Sequence, residues 1–257
     1  HDRLAQLPPA APEPFRRWAL ARRADLRLEL GAPLEARTLL RELLWNAGPG
    51  AGDAELRRWR RLVVRSYLVE DRIDDAVTAL RRFDQDYRDT GVEWAVLRTR
   101  VLLRAELPDE AAARLPEEGT PELQALGMLA RLRSGQRDAR VVWDAAQAAA
   151  TSEELGDLQR ARFWFVAAEA ARDQTPPRHA LAAEKAVVHA QALPSSDTVF
   201  AVDGDVLWSA WTAYGRWYGN NEQLLIGDDE AWFDAAAAAM PKYPVRARAL
   251  LAVVARQ

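Results

Sequence analysis

The first half of this chain repeats one unit three times: an amphipathic helix, a short polar break and a second helix. The copies span residues 24–44, 63–83 and 100–115. Each second helix carries an alanine, and the three lie 40 and 35 residues apart, at Ala36, Ala76 and Ala111. A period of roughly 34–40 residues with a small residue where two helices meet is typical of helical-repeat proteins. We therefore predict an all-α fold in which antiparallel helix hairpins stack into a curved superhelix.

Proline and glycine mark the ends of the predicted helices. Pro14 opens the first helix, Gly31 ends it and Pro33 starts the next, which is the usual placement of these residue types. A loop at residues 48–53 accommodates the extra length between the first two copies. In the second copy Asp71 stands where a glycine often ends the first helix of a pair.

The second half is predicted to be helical but less regular. Apolar residues recur close to helical spacing over residues 158–172, and a partner helix follows from Pro177 to about residue 193. The PSSDT stretch at 194–198 is the longest loop signal. Three further helices are predicted after it, at about 205–218, at about 229–239 and from about 244 onward.

These signals divide the chain into three segments. Residues 1–13 are expected to be a processed or tag-proximal segment, because the chain begins at His1 without a methionine. Residues 14–194 hold the helical repeats. Residues 195–257 hold aromatic-rich helices that continue the stack. Since the helical pattern reaches Gln257 without a stop signal, we expect the biological protein to extend further.

The repeated units resemble tetratricopeptide repeats. In the first copy the matching residues are Leu20, Ala24, Gly31, Ala36, Leu40 and Leu43. In the second copy they are Val64, Tyr67, Ala76, Leu80 and Phe83, and Tyr67 falls where the family prefers an aromatic residue. Arg27 at that position of the first copy, and Asp71 at the turn glycine, depart from the pattern. The resemblance covers residues 17–115 well and 120–195 loosely. It implies a TPR-like α-solenoid with stacked helix pairs, a fold that binds many unrelated partners.

A second resemblance suggests a bacterial cell-wall setting. Ala- and Arg-rich helical structures of this kind are similar to the helical region of periplasmic soluble lytic transglycosylases. They are also similar to the repeat domain of lipoprotein activators of peptidoglycan synthases. The terminal VVARQ resembles the tract before the catalytic glutamate of such transglycosylases, and the given sequence stops before the position of that glutamate. This resemblance implies a periplasmic or outer-membrane-anchored location in preference to a cytoplasmic one.

Composition excludes several classes of site. The chain has no cysteine, so disulfides, thiolate metal sites and cysteine nucleophiles are ruled out. A net charge of −3 gives no general basis for binding nucleic acid. No apolar stretch approaches the ~20 residues that span a bilayer. His179 and His189 lack the spacing of a metal pair, and no nucleotide-binding or hydrolase motif is present. We predict no cofactor, no metal site and no catalytic residue.

Five aromatic residues form the most distinctive local feature of the second half. They fall within about half the circumference of one helix and are Trp208, Trp211, Tyr214, Trp217 and Tyr218. One interpretation is a packed core or repeat interface, since aromatic side chains bury large areas. The other is a groove for an extended peptide or glycan, and on that basis the five are candidate partner-binding residues.

Two charged clusters have simple structural interpretations. The acids near the aromatic helix, Asp205 and Asp228 among them, are explained as helix N-caps, although a calcium loop is the alternative. The basic run at 57–65 places Arg57, Arg58, Arg61 and Arg65 on one face. Because Glu55, Asp84 and Asp86 are available as partners, we expect a solvated and partly paired surface there. The alternative is a groove for RNA.

The residues thus predict a noncatalytic scaffold that binds a protein or an extended peptide. Ala36, Tyr67, Ala76 and Ala111 are its predicted repeat-packing residues. The alternative is the noncatalytic helical domain of a peptidoglycan enzyme or of its activator, with a peptidoglycan-related partner.

Overall fold

A computed structural model describes residues 11–48, 50–89, 91–115 and 119–171, together with Ala182, Lys185, Val199 and Phe200. The predicted helices at 205–218, at 229–239 and from 244 lie outside these residues, as do nearly all of the predicted helix up to residue 193 and the boundary at 194–198.

Every regular element in the described ranges is an α-helix, which confirms the all-α prediction. The helices are α1 (Glu13–Glu29), α2 (Pro33–Trp45), α3 (Asp53–Val69), α4 (Ile73–Asp86), α5 (Val92–Arg104), α6 (Pro108–Ala112), α7 (Pro121–Arg133), α8 (Ala139–Ala150) and α9 (Asp157–Ala171). The chain divides into two compact units, residues 1–116 and 117–257. The first unit holds α1–α6 and the second holds α7–α9.

The first unit is built from three consecutive helix pairs. Helix α1 packs on α2 (hairpin 1), α3 packs on α4 (hairpin 2), and α5 packs on α6 (hairpin 3). Each pair also packs on the next, because α2 contacts α3 and α4 contacts α5. The odd-numbered helices contact one another as well, α1 with α3 and α3 with α5. Since each pair reverses the chain direction, the odd-numbered helices run parallel.

The two helices of each pair are joined by the same turn. Its central residue has a positive φ, +70° at Gly31, +61° at Asp71 and +57° at Glu106. The next residue donates its N–H to the carbonyl five positions earlier, over 2.8, 3.0 and 2.9 Å respectively. This left-handed cap satisfies carbonyls that the end of a helix leaves open. In the second unit Gly135, with φ +70°, also follows the end of α7, but there Arg137 donates its N–H to the Arg131 carbonyl, six positions earlier, over 3.1 Å.

The second helix of each pair buries the fourth residue after its N-cap completely. These residues are Ala36, Ala76 and Ala111 in the first unit. Each donates its N–H to the N-cap carbonyl, over 3.2, 3.0 and 3.0 Å. In the second unit Val142 makes the same bond in α8 over 3.0 Å and is also buried. The position that is alanine in the first unit thus takes a larger residue in α8.

A tryptophan fills the junction between consecutive pairs. Trp59 of α3 lies in the buried cluster that includes Leu40 and Leu43 of α2. Trp94 of α5 packs against Phe83 of α4, with ring centroids 4.1 Å apart and an interplanar angle of 35°. The two tryptophans lie 35 residues apart, the same spacing as Ala76 and Ala111. They therefore occupy equivalent positions, which sequence analysis did not single out.

Among the described helices of the second unit, α9 packs on both α7 and α8. The predicted helix at 158–172 is present, but it is buried on all sides, including at Phe163, Trp164 and Val166. Its buried Arg162 is held by Glu122 of α7 at 3.0 Å. Across the described part of this unit and of the first, no helix is both long and apolar enough to span a bilayer.

Candidate binding surface

The predicted site residues fall into two groups in the structure. The aromatic group, Trp208, Trp211, Tyr214, Trp217 and Tyr218, lies outside the described residues. Of the repeat-packing group, Ala36, Ala76 and Ala111 are buried and Tyr67 is half-buried. Two arginines lie over the Tyr67 ring: the guanidinium carbon of Arg37 is 4.7 Å from the ring centroid, and that of Arg72 is 5.5 Å from it. Tyr67 therefore lies where hairpins 1 and 2 meet.

Three arginines of α3 mark a face that the odd-numbered helices share. Arg58, Arg61 and Arg65 follow one another at spacings of three and four, which places them on one side of the helix. Arg65 donates to Asp25 of α1 at 2.7 Å, and Arg61 pairs with Glu93 of α5 at 3.4 Å. We call this surface of α1, α3 and α5 the odd-helix face.

The other arginines of the basic run face the C-terminal end of α4. Arg60 pairs with Asp86 at 2.8 Å, and Arg57 and Arg60 both lie about 6 Å from the Tyr87 ring. The run is thus partly paired, and Asp86 is one of its three predicted acidic partners. Glu55 lies 3.5 Å from Arg17 instead. The remaining predicted acid, Asp84, pairs with an arginine of α5 at 3.3 Å.

Arg58 differs from its neighbours on the odd-helix face. Its side chain is exposed, and no acidic side chain in the described part of the chain pairs with it. Arg61 and Arg65, three and seven residues further along α3, are both engaged. A guanidinium in this situation is free to take a carboxylate from another molecule.

Exposed apolar side chains are concentrated in hairpin 1. Seven large apolar residues are exposed among the described residues, and two of them, Val92 and Val141, lie outside hairpin 1. The other five, with exposed fractions of 45, 47, 69, 64 and 86%, are Phe15, Trp18, Leu30, Leu34 and Trp45. Phe15 and Trp18 are stacked, with ring centroids 5.5 Å apart and an interplanar angle of 18°. Sequence analysis missed all five.

The corresponding positions of hairpin 2 are polar. Helix α3 begins and ends 40 residues after α1, so each residue of hairpin 1 has a counterpart 40 positions later. The counterparts of the five exposed residues are Glu55, Arg58, Glu70, Asp74 and Gln85. The same backbone therefore carries charged or polar side chains at these positions without difficulty. A comparison of residues 40 apart is the sequence signal that would have identified the exposed group.

Trp18 and Arg58 lie at the same level on neighbouring helices. Each stands seven residues, or about two helical turns, before a member of the bonded pair Asp25–Arg65. At the N-terminal ends of the same helices, Arg17 reaches Glu55 at 3.5 Å, so α1 and α3 stay close there. We call Phe15, Trp18 and Arg58 the Trp18 patch.

The chemistry of this surface is that of binding. A stacked aromatic pair offers apolar area, and a free guanidinium offers paired donors to a carboxylate. No group of three or more His, Asp or Glu side chains among the described residues is arranged to hold a metal ion. No protein-family model, no curated protein and no solved structure matches this chain.

Proposed function

We propose that this chain is a noncatalytic scaffold of tetratricopeptide-like hairpins whose odd-helix face binds a protein partner through an extended segment. One observation carries the proposal. The three pairs of the first unit share one turn, one fully buried alanine position and one pattern of contacts between neighbours. In such repetition the inner sides of all six helices serve the stacking, and the outer sides of the parallel odd-numbered helices form one continuous surface.

The buried polar side chains of the first unit support this proposal, because each serves the fold. The Ser66 hydroxyl donates to the Val63 carbonyl at 2.6 Å, and the Thr99 hydroxyl donates to the Ala95 carbonyl at 2.7 Å. Arg17 donates to the Gly50 carbonyl at 2.9 Å and so fixes the loop before α3. The polar groups left for interaction are therefore those at the surface.

The test is selection of ligands from a displayed library of random peptides, using the full chain as bait. Affinities of the selected peptides are then measured by fluorescence anisotropy for the unmodified protein and for two charge reversals. Arg61→Glu alters the odd-helix face, and Arg82→Glu alters an exposed arginine of α4 as the matched control. We expect the first to weaken binding and the second to leave it unchanged. Equal effects of both, or no selected peptide, would contradict the proposal.

A parallel measurement addresses the peptidoglycan alternative. The same three proteins are sedimented with purified sacculi. Co-sedimentation that is insensitive to Arg61→Glu, together with a failed peptide selection, would identify a cell-wall binding domain instead of a peptide scaffold. Absence of co-sedimentation alongside successful selection supports the scaffold.

A further inference from the structure

We propose that the Trp18 patch binds an acidic peptide segment, with an apolar side chain on the Phe15–Trp18 stack and a neighbouring carboxylate on Arg58. This inference rests on the proposed function, which it makes specific as to site and ligand class. It is carried by the difference between hairpins 1 and 2 and by the charge of α3.

The aromatic side chains of the patch are not required by the fold. Their counterparts in hairpin 2, Glu55 and Arg58, occupy the same backbone positions, and α3 has the same length as α1. Stacked rings that are nearly half exposed retain unfavourable contact with water. An exposed apolar group that the scaffold does not need, rimmed by charged residues, is typical of an interaction site.

Charge complementarity identifies the ligand as acidic. The charged side chains that α3 carries on the odd-helix face belong to three arginines, and Arg58 is the one without an acidic partner in the described ranges. A carboxylate accepts two parallel hydrogen bonds from a guanidinium, which makes the pair directional. Tryptophan and arginine are also the side chains most often found at the energetic centre of a protein interface.

The geometry limits how the ligand is arranged. Neighbouring packed helices have axes about 8–10 Å apart, and an extended peptide advances about 3.3 Å per residue. A carboxylate two or three residues from the apolar anchor therefore reaches Arg58 when the anchor lies on Trp18. We expect ligands in which an aromatic or leucine side chain is followed or preceded by glutamate or aspartate at that spacing.

The experiment uses three fluorescein-labelled peptides of about ten residues, long enough to span two odd-numbered helices. The first alternates leucine and glutamate, the second replaces glutamate by lysine, and the third replaces leucine by serine. The full chain is compared with Trp18→Arg and Arg58→Glu. The control is Trp45→Gln, which alters an exposed residue outside the patch and introduces its hairpin 2 counterpart. Far-UV circular dichroism establishes that each variant is folded.

We expect the leucine–glutamate peptide to bind best, and Trp18→Arg and Arg58→Glu each to weaken it by about tenfold or more, as for central interface residues. Trp45→Gln should leave binding unchanged. Arg58→Glu should reverse the preference and bind the lysine peptide better than the glutamate peptide. This reversal is a result that general misfolding cannot produce.

Two outcomes would overturn the inference. One is equal binding of the glutamate and lysine peptides. The other is binding of the glutamate peptide that neither Trp18→Arg nor Arg58→Glu affects. If library peptides depend on Arg61 but are not acidic, the inference fails while the proposed scaffold function stands. If no peptide of any kind is selected, both fail.

Discussion

Hairpin 1 and hairpin 2 have the same backbone plan but different surfaces. Helices α1 and α3 are both 17 residues long and start 40 positions apart. Several buried residues correspond, as Leu28 of α1 does to Leu68 of α3 and Leu40 of α2 does to Leu80 of α4. The exposed residues do not correspond, because hairpin 1 is apolar at five positions where hairpin 2 is polar or charged. In this unit the core specifies the repeat, and the surface distinguishes one copy from another.

Other buried positions differ between the hairpins, and one of these differences is caused by the neighbouring hairpin. Trp59 of α3 packs in the cluster that holds Leu40 of α2, and Trp94 of α5 packs on Phe83 of α4. The counterpart in α1 is Ala19. Helices α3 and α5 each follow another hairpin, and each uses its tryptophan to pack against that hairpin. The difference is therefore one of position in the stack.

The largest expected effect tests whether the two cores are equivalent. Leu40→Ala and Leu80→Ala each remove a buried side chain, so each should lower the free energy of unfolding by about 2–5 kcal/mol. Urea denaturation followed by circular dichroism measures both. Leu34→Ala removes an exposed leucine and should change stability by less than about 0.5 kcal/mol. A cost at Leu40 close to that of Leu34 would show that hairpin 1 is only loosely packed.

The next effect tests the small buried position. Ala36→Leu and Ala76→Leu force a larger side chain into a filled site, and each should cost about 1–3 kcal/mol. The chain offers a matched control, because Thr38 and Thr78 are exposed, lie two residues further on and are also 40 apart. Thr38→Leu and Thr78→Leu should be nearly neutral in the same denaturation assay. If all four substitutions behave alike, close packing at the alanines is not what the fold requires.

A smaller effect concerns the left-handed turns. Gly31→Ala should lower stability by about 1–2 kcal/mol, because a Cβ disfavours a φ of +70°. A Cβ built there meets no atom within 4 Å, so the cost belongs to the backbone alone. Glu106→Gly should raise stability by up to about 1 kcal/mol, since it removes that penalty at an exposed residue. A denaturation midpoint for Glu106→Gly below that of the unmodified protein would contradict this account.

The smallest expected effect bears directly on the surface comparison. Phe15→Glu and Trp18→Arg introduce the hairpin 2 residues into hairpin 1. Since these side chains are exposed, each substitution should change stability by no more than about 0.5 kcal/mol. Thermal melts of the two variants check this. A loss of several kcal/mol would assign the aromatic stack to the fold and remove the reason for regarding it as a binding site.

Local signals were the most informative part of the sequence. Local signals of this kind are the cap at Gly31, the helix start at Pro33 and the alanine repeat. They depend on the backbone preference and the side-chain size of a residue type, which do not change with its surroundings. Asp71 was predicted in the same way, since it stands where the repeat places a turn. In the structure it has a positive φ. These features predicted an all-α chain and the position of most helix ends in the first unit.

Features that depend on distant residues were not predictable in the same way. The apolar pattern of α9 indicated one buried face, whereas Phe163 and Trp164 are buried as well. The exposure of Trp18 was missed for the opposite reason, since an isolated tryptophan is more often buried than exposed. That no acid among the described residues pairs with Arg58 depends on which side chains lie near it in three dimensions, and sequence spacing alone does not specify this.

The constant offset of 40 residues between α1 and α3 has a consequence for engineering. Exposed side chains can be exchanged between the two hairpins position for position, because their backbones need no insertion or deletion. Placing Phe15 and Trp18 at the equivalent positions of α3 would move the aromatic pair by one hairpin, about 10 Å along the row of helices. The buried residues that pack the hairpins together would stay unchanged. A chimera of this kind would shift the position at which a ligand binds along the row of helices, with the rest of the protein unchanged.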